Sequence, residues 1–234
     1  MLNLFYEKIF FMDEVIIVAG GEGKRMGSDV PKQFLLLKGK PLLMHTITVF
    51  YEFNPKLNII VVLPAAYCNY WQELCRQYSF VISHKVVEGG KERFFSVKNA
   101  LNFLDSTDGV VAVHDGVRPL VSRHVLHRCF EKAYQTGAVI PVVLVKESLR
   151  KKNSRGSAGV CRNEYWIVQT PQVFRKDVLL KAYRQPYEEI FTDDASVVEK
   201  TGIVIHTVDG NEENIKITSP FDLLIAETYL QHHE

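Results

Sequence analysis

The sequence has few cysteines, and none of them has the spacing of a metal site or a disulfide framework. The four cysteines are Cys68, Cys75, Cys129 and Cys161, and no two form a CxxC pair. Zinc sites and disulfide-rich secreted domains depend on such spacings, so both are disfavoured. The cysteine usage is typical of a reducing compartment, and we predict a cytoplasmic protein.

Long hydrophobic runs and an excess of one charge are missing as well. The longest apolar stretch lies within residues 1–12, where Glu7 and Lys8 interrupt it, so it is too short to cross a bilayer. It also lacks the basic start and the cleavage site of a signal peptide. Lys plus Arg number 28 and Asp plus Glu number 27, which gives a net charge of +1. This balance argues against broad, charge-driven binding to nucleic acid or a membrane, and it leaves a local basic site open.

The length and composition allow a sizeable hydrophobic core. Of the 234 residues, 47% are hydrophobic, which is sufficient for a folded domain without cross-links. No repeat, low-complexity segment or linker divides the chain. We interpret residues 1–12 as an N-terminal extension, with Met12 as an alternative start, and residues 13–234 as one domain.

Patterns of buried strands alternate with helical patterns along the chain. Continuous apolar runs predict strands at 14–19, 58–63, 85–88, 109–114, 138–145, 166–174 and 203–208. Apolar residues at helical spacing predict helices at 41–53, from Pro64, and at 93–104, 122–136, 176–183, 194–201 and 220–230. This alternation is typical of a doubly wound, mostly parallel α/β sheet, the Rossmann-like arrangement. Such sheets bind ligands beyond the carboxyl ends of their strands.

Residues 146–165 interrupt the alternation with a polar, basic segment that contains Gly156 and Gly159. Composition alone favours a mobile surface insertion. The alternative is a protruding β-arm that exchanges contacts with a second subunit. The segment lacks the interleaved aromatic residues of a nucleic-acid platform, so its lysines do not indicate nucleic-acid binding.

A glycine-rich segment follows the first predicted strand, and residues 20–27 read GGEGKRMG. Backbone N–H groups in such a loop can bind phosphate oxygens. The Gly-Lys pair is followed by Arg25, so the Walker A pattern fails, and Met26 replaces the third glycine of the dinucleotide pattern. Two cations, Arg25 and Lys32, follow the glycines and suit a triphosphate. A tight turn with solvated cations is the other interpretation.

Six segments resemble, in order, the motifs of the 2-C-methyl-D-erythritol 4-phosphate cytidylyltransferase family. They are AGGEGKRMGSDVPKQ at 19–33, GGKERFFS at 89–96, HDGVRP at 114–119, TPQ at 170–172, TDDAS at 192–196 and NIKIT at 214–218. The resemblance extends over about residues 14–230. Six motifs in one order are specific to this family. A dehydrogenase is disfavoured by Met26 in place of the third glycine and by the PKQ at 31–33 that follows.

The resemblance implies a reaction in which CMP moves from CTP to 2-C-methyl-D-erythritol 4-phosphate and pyrophosphate leaves. This is a step of non-mevalonate isoprenoid biosynthesis. Mg²⁺ is the implied cofactor, and the 146–165 arm is the implied contact of a homodimer. A cytidylyltransferase for another polyol phosphate, such as ribitol 5-phosphate, stays open as an alternative. A non-catalytic nucleotide-binding protein would be expected to lose the costly cations, which this sequence retains.

The resemblance also assigns roles to individual residues. The implied catalytic cations are Arg25, Lys32, Arg162 and Lys216. The implied CTP site is Ala19, Gly20, Gly21, Gly23, Gly90, Lys91 and Ser96. The implied acceptor site is Asp115, Arg118, Ser148, Thr170 and Thr192, and Asp115 is also the candidate Mg²⁺ ligand.

Several of these residues depart from the family's pattern or have a simple structural explanation. Lys91 and Gly20 stand where the family has aspartate and alanine, so contacts there would come from the main chain. Ser148 replaces a threonine and keeps its hydroxyl. Carboxylates at strand ends are common in plain turns, and threonines such as Thr170 are good strand formers. His114 alternates with Asp115, so we predict that it packs inside the fold.

Overall fold

The structure is a computed structural model, and it describes residues 13–20 and 30–232. The interpretation of residues 1–12 as an extension therefore lies outside the described residues. The described strands are β1 (Glu14–Val18), β2 (Leu36–Leu37), β3 (Lys40–Pro41), β4 (Asn58–Leu63), β5 (Lys85–Glu88), β6 (Val110–Asp115), β7 (Ala138–Leu144), β8 (Arg150–Asn153), β9 (Gly156–Gly159), β10 (Trp166–Val168), β11 (Gln172–Arg175) and β12 (His206–Asp209). The described helices are α1 (Leu42–Phe53), α2 (Cys68–Gln77), α3 (Arg93–Leu101), α4 (Arg123–Thr136), α5 (Lys176–Ala182), α6 (Asp194–Glu199) and α7 (Pro220–His232).

A mixed, mostly parallel sheet forms the centre of the fold. Its strands follow the order β5-β4-β1-β6-β11-β7-β10, and β12 pairs with β7 as well. The four strands β5, β4, β1 and β6 are parallel neighbours, and β12 is parallel to β7. β10 and β11 run antiparallel to their neighbours. The predicted doubly wound fold is thus confirmed, with an antiparallel pair of strands inserted towards one edge.

Helices cover both faces of the sheet because the apolar strands have buried side chains on both sides. Ile17 of β1 belongs to a core cluster that includes side chains of α1, α2 and α4. Its neighbour Ile16 belongs to a second cluster with side chains of α3, α5 and α6. Both isoleucines are fully buried. Alternation along a strand places successive side chains on opposite faces, so one apolar run supports two cores.

Local sequence signals set several helix boundaries. Ser122 caps α4, since its hydroxyl accepts a hydrogen bond from the N–H of Val125 at 3.3 Å, and Gly137, with φ of +89°, ends the same helix. Such a left-handed conformation favours glycine. After Pro64, however, the chain forms a 3₁₀ turn at Ala65–Tyr67 before α2 begins. The predicted helix at 93–104 also ends early, at Leu101.

The predicted strand at 166–174 is two strands. β10 pairs with the end of β7 and β11 with its beginning, so both run along the same strand. The Gln169 N–H still donates to the Pro141 carbonyl of β7 at 2.9 Å, but residues 170–171 leave the ladder, and the Thr170–Pro171 peptide is cis. Proline cannot donate a ladder hydrogen bond, which explains why pairing stops there.

The basic segment forms a hairpin. β8 and β9 pair antiparallel as a separate two-stranded sheet, and all of their residues are exposed. The segment thus has the form of a β-hairpin, and its exchange of contacts with a second subunit stays a prediction. Within the described ranges, no helix combines the length and hydropathy that crossing a membrane requires.

Candidate active site

A cleft of about 230 Å³ opens at the carboxyl ends of β1 and β6. β4 and β5 extend the sheet to one side of β1, and β6 extends it to the other, so the strand order reverses here. Open α/β sheets bind ligands at such switch points. The cleft is lined by Val18, Ala19, Gly20, Lys32, Gln33, Gly90, Lys91, Glu92, Arg93, Ser96, Asp115, Val117 and Lys216.

The turn after β6 brings the two strand ends close together. Val18 of β1 pairs in register with Asp115 of β6, and the Gly116 N–H donates to the Val18 carbonyl at 2.9 Å. A Cβ atom at Gly116 would lie 2.9 Å from the Cβ of Ala19. Since real Cβ atoms do not approach so closely, glycine here allows the contact that closes the floor of the cleft.

One wall of the cleft is the turn that leads into α3. The Gly90 N–H donates to Ser96 Oγ at 3.1 Å, and Ser96 is only 4% exposed. A Cβ atom on Gly90 would overlap Phe95, so the backbone lies directly against the helix. Gly90, Lys91 and Ser96 thus lie together beside Ala19 and Gly20, as the resemblance implied. Ser96 holds the turn, and its contact with a base stays a prediction.

A compact group of charges lies at the end of β6. Lys216 Nζ and Arg118 Nε both contact Asp115 Oδ2 at 3.1 Å. Burial raises the pKa of Asp115, but the charges of Lys216, Arg93 and Arg118 outweigh it and hold that pKa well below its usual range. Arg118 also donates to the Asn214 carbonyl at 2.7 Å and does not line the cleft. The Lys216 side chain is 42% exposed, so it remains accessible to a ligand.

The Thr170 hydroxyl hydrogen-bonds both the backbone of Asp115 and the side chain of His114. It accepts from the Asp115 N–H and donates to His114 Nδ1, both at 3.1 Å. His114 Nε2 in turn donates to the Arg118 carbonyl at 3.0 Å. Burial lowers the pKa of His114 to about 4. His114 is fully buried, which confirms its predicted packing, and the Thr170 hydroxyl is engaged inside the protein.

Arg93 is a cleft residue that we did not predict from the sequence. Its guanidinium makes two hydrogen bonds to Asp194, at 2.8 and 2.7 Å, and Tyr183 donates to the same carboxylate at 2.6 Å. Burial lowers the pKa of Arg93, but Asp194 more than offsets this and the pKa is raised. Arg93 and Asp194 are 101 positions apart. Their presence in two of the quoted motifs was the available signal, but it does not reveal the pairing.

The remaining predicted residues are distributed as follows. Lys32 lines the cleft within a 3₁₀ turn, Lys32–Phe34, whereas Arg25, Gly21 and Gly23 lie outside the described residues. Thr192 precedes Asp193, the capping residue of α6, and does not line the cleft.

The arm residues lie apart from the cleft. Arg162 lines a second cleft of about 510 Å³ with Lys146 and Trp166, and its guanidinium donates to the Lys146 carbonyl. Ser148 is exposed at the base of the hairpin. The two clefts share no lining residue in the part of the chain that the structure describes. Within one chain, therefore, Arg162 is not brought to the site of Lys216.

The described residues contain no group of three His, Cys, Asp or Glu side chains that could hold a metal ion. Asp115 is the candidate ligand that the sequence indicated, and it lies in the cleft. Mg²⁺ commonly binds through one or two carboxylates, water and substrate phosphates. One carboxylate beside a cationic cleft fits an ion that arrives with a polyphosphate.

A doubly wound sheet with a cationic cleft at its switch point is typical of nucleotide-binding α/β enzymes. The family described as IspD, 2-C-methyl-D-erythritol 4-phosphate cytidylyltransferase, matches residues 14–232. The chain belongs to this family of nucleotidyltransferases, which confirms the resemblance in its motifs.

Named relatives cover nearly the whole chain. It is 53% identical over 216 residues to 2-C-methyl-D-erythritol 4-phosphate cytidylyltransferase of Phocaeicola vulgatus, which covers 92% of this chain and 98% of the relative. The protein of that name from Porphyromonas gingivalis is 53% identical over 218 residues, covering 92% and 96%. The crystal structure of the Thermus thermophilus protein of that name has a TM-score of 0.77 at 30% identity, covering 93% and 98%.

Proposed function

We propose that this chain transfers CMP from CTP to 2-C-methyl-D-erythritol 4-phosphate in non-mevalonate isoprenoid biosynthesis. The products are 4-diphosphocytidyl-2-C-methyl-D-erythritol and pyrophosphate. Membership of the family supports this assignment. The structural observation that carries it is the cationic cleft at the switch point, which Lys32, Arg93 and Lys216 line together with Asp115.

The chemistry is an in-line displacement at phosphorus. A phosphate oxygen of the acceptor attacks the α-phosphorus of CTP, and the bond to the pyrophosphate oxygen breaks. Such reactions depend on positioning and on neutralising charge. In the proposal, Lys32 and Arg25 bind the triphosphate, and Lys216 meets the α-phosphate or the incoming phosphate.

Lys216 is suited to this role by its contact with Asp115. The 3.1 Å ion pair fixes the ammonium group at the floor of the cleft, while the side chain remains 42% exposed. Asp115 is held by Arg118 and by the Thr170 hydroxyl. Asp115, Arg118 and Thr170 would then act on the acceptor as one unit, with the last two mainly orienting the first. Thr192 is proposed to contact the acceptor from the segment before α6.

The nucleoside would lie against the turn before α3. Ala19, Gly20, Gly90, Lys91 and Ser96 line this part of the cleft, and the proposed contacts are made by the backbone of the first four and by the Ser96 hydroxyl. A contact made by the main chain tolerates Lys91 in place of aspartate.

We further propose a homodimer in which the arm completes the partner's cleft. Arg162 and Ser148 lie outside the Lys216 cleft of their own chain, so they would reach substrate only from another copy. Exposed apolar side chains beside the hairpin support a buried contact there: Leu144 is 72% exposed and Trp166 is 57% exposed.

Mg²⁺ is proposed to enter with CTP, held by the phosphates and by Asp115. When bound, it would neutralise and orient the triphosphate. A cytoplasmic location is proposed as well, since Cys68, Cys75, Cys129 and Cys161 are all free thiols. CTP and a small polyol phosphate are the proposed substrates, and we propose neither nucleic acid nor a membrane as a partner.

Pyrophosphate release from CTP and Mg²⁺ tests the proposal, with 2-C-methyl-D-erythritol 4-phosphate and ribitol 5-phosphate offered separately. We expect turnover with the branched tetritol phosphate alone. Lys32→Ala should abolish it, whereas Lys40→Ala, on the exposed side of β3, should not. Turnover with ribitol 5-phosphate alone would keep the chemistry and change the acceptor. Release with neither acceptor would contradict the proposed function.

A further inference from the structure

The side-chain amide of Gln33 is buried in the cleft wall without a hydrogen-bond partner in the described ranges. Gln33 is 1% exposed, and both Nε2 and Oε1 lack a partner. Nearly all buried polar groups in native proteins are paired, because an unpaired one loses its hydration without compensation. Two unpaired atoms on one amide therefore call for a functional explanation.

The backbone keeps this amide where it is. Gln33 is the middle residue of the 3₁₀ turn Lys32–Phe34. The next side chain, Phe34, is buried and packs against the rings of Tyr67 and Tyr70, with centroids 5.9 and 5.2 Å away. The Phe34 N–H also donates to the Pro31 carbonyl at 2.9 Å. Because these contacts anchor the 3₁₀ turn, moving the Gln33 side chain out into water would cost free energy.

A second buried glutamine shows that the fold can satisfy such a side chain. Gln172 is equally buried, at 1% exposed. Its Nε2 donates to Asp193 Oδ2 at 2.7 Å, and its Oε1 accepts from the Ala195 N–H at 2.8 Å. The two residues differ in position, since Gln33 lines the cleft and Gln172 does not.

We propose that the Gln33 amide binds the nucleoside half of the nucleotide, an inference that rests on the proposed function. The amide offers a donor and an acceptor side by side. Phosphate oxygens only accept hydrogen bonds, whereas ribose hydroxyls and the cytosine edge both donate and accept. Lys32 and Lys216 line the same cleft and can serve the phosphates.

Among the described residues, the free protein then leaves the Gln33 amide without a hydrogen-bond partner, and the nucleotide supplies one. Such a group destabilises the free fold and strengthens binding, so removing it should change the two properties in opposite directions. An amide with a purely structural role would behave differently, because its removal would lower stability.

Gln33→Met tests this inference, because methionine has a similar volume and neither a donor nor an acceptor. We expect a higher Tm for the free variant and CTP binding weaker by about tenfold, or about 1.4 kcal/mol. Binding of tripolyphosphate, which lacks the nucleoside, should not change. Both affinities would be measured by calorimetric titration with Mg²⁺, without an acceptor.

Gln172→Met is the matched control, and its Tm should fall because it loses two hydrogen bonds. A lower Tm of Gln33→Met, an unchanged CTP affinity, or an equal loss for CTP and tripolyphosphate would each overturn the inference. Failure of the unmutated protein to bind CTP would instead contradict the proposed function.

Discussion

Charged side chains gather at both ends of the same sheet, but the two groups differ in their access to water. At the carboxyl end, Lys216 and Asp115 form an ion pair whose lysine is 42% exposed. At the amino end, Lys176 Nζ contacts Glu14 Oε1 at 2.6 Å, and both side chains are almost completely buried. One group of charges is open to a ligand, and the other is closed within the fold.

The surroundings of each pair account for this difference. Glu14 also accepts hydrogen bonds from Asn58 Nδ2 at 3.0 Å and from the Asp105 N–H at 3.1 Å. Its charge is therefore compensated by the protein alone. The Lys216 ammonium group contacts Asp115 and faces the open cleft, and the proposal fills that space with phosphate. The comparison separates a pair at the amino end that serves stability from a pair at the carboxyl end that, in the proposal, serves binding.

Lys176→Met should give the largest effect, on stability. Glu14 would keep a buried charge without its cation, and breaking one partner of a buried pair costs about 3–5 kcal/mol. Urea unfolding would measure this loss, while turnover of the folded fraction should be nearly unchanged.

Two further variants sharpen the Lys176 result. Lys181→Met removes an exposed lysine from the same helix, and we expect little change. Combining Lys176→Met with Glu14→Gln removes the unpaired charge and should recover most of the loss. A Lys176→Met protein of unaltered stability would show that the amino-end pair is not structural.

Lys216→Ala should have the opposite signature. The fold should keep most of its stability because Arg118 still contacts Asp115 after the partly exposed lysine is removed. Turnover should fall on the order of 10²–10³-fold, as when one preorganised charge donor is removed. Steady-state pyrophosphate release and thermal unfolding would separate the two effects. Lys200→Ala, which removes an exposed lysine paired with Glu188, should leave turnover unchanged. A stable, fully active Lys216→Ala protein would be incompatible with the mechanism.

Mixing two inactive variants extends this test to the proposed dimer. Chains with Lys216→Ala and chains with Arg162→Ala would form heterodimers in which one site has both residues. After subunit exchange of equal amounts, we expect about a quarter of the unmutated turnover. No recovery, despite demonstrated exchange, would show that Arg162 does not act across an interface.

Asp13→Asn should give the smallest effect, again at the amino end. Burial raises the pKa of Asp13 from 3.8 to about 6. A raised carboxyl pKa stabilises the fold below the unfolded value, near pH 4, and this contribution is lost as the pH rises through about 6. Asparagine keeps the acceptor for Tyr134 and Val110. The variant should therefore flatten the dependence of the unfolding free energy on pH between pH 4 and 6. It should gain at most about 3 kcal/mol at pH 8, because a shift of about two pKa units is removed.

The control for this pH profile is Asp177→Asn at the surface. The hydrogen bond from Arg175 lowers the pKa of Asp177, so its substitution should change stability in the opposite sense. If the stability of the Asp13→Asn protein had the same pH dependence as that of the unmutated chain, Asp13 would not be the cause of the fall in stability between pH 4 and 6.

The sequence predicts the sheet well where local pattern and burial agree. The run at β1 is apolar throughout after Glu14, and a strand buried on both faces demands that pattern. The position of Asp115 follows from topology, since parallel strand ends converge at one edge. The motifs add the identity of the family, and they place Lys32, Ser96 and Lys216 in one cleft.

Long-range side-chain pairing was beyond prediction. The roles of Thr170, Arg93 and Gln33 depend on atoms of distant residues or on the absence of a partner among the residues that the structure describes. Neither kind of information appears in local spacing. The split between β10 and β11 was missed although Pro171, inside the predicted strand at 166–174, was a local signal for it.

The Thr170–His114 chain has a consequence for how the site responds to acidity. His114 has a pKa of about 4, and the pKa of Asp115 is lower than usual, so neither changes its charge near neutral pH. A phosphate monoester, in contrast, takes up its second proton near pH 6. Near neutral pH, the charges of His114 and Asp115 are therefore constant. Protonation of the acceptor phosphate would then dominate any change in rate below pH 7.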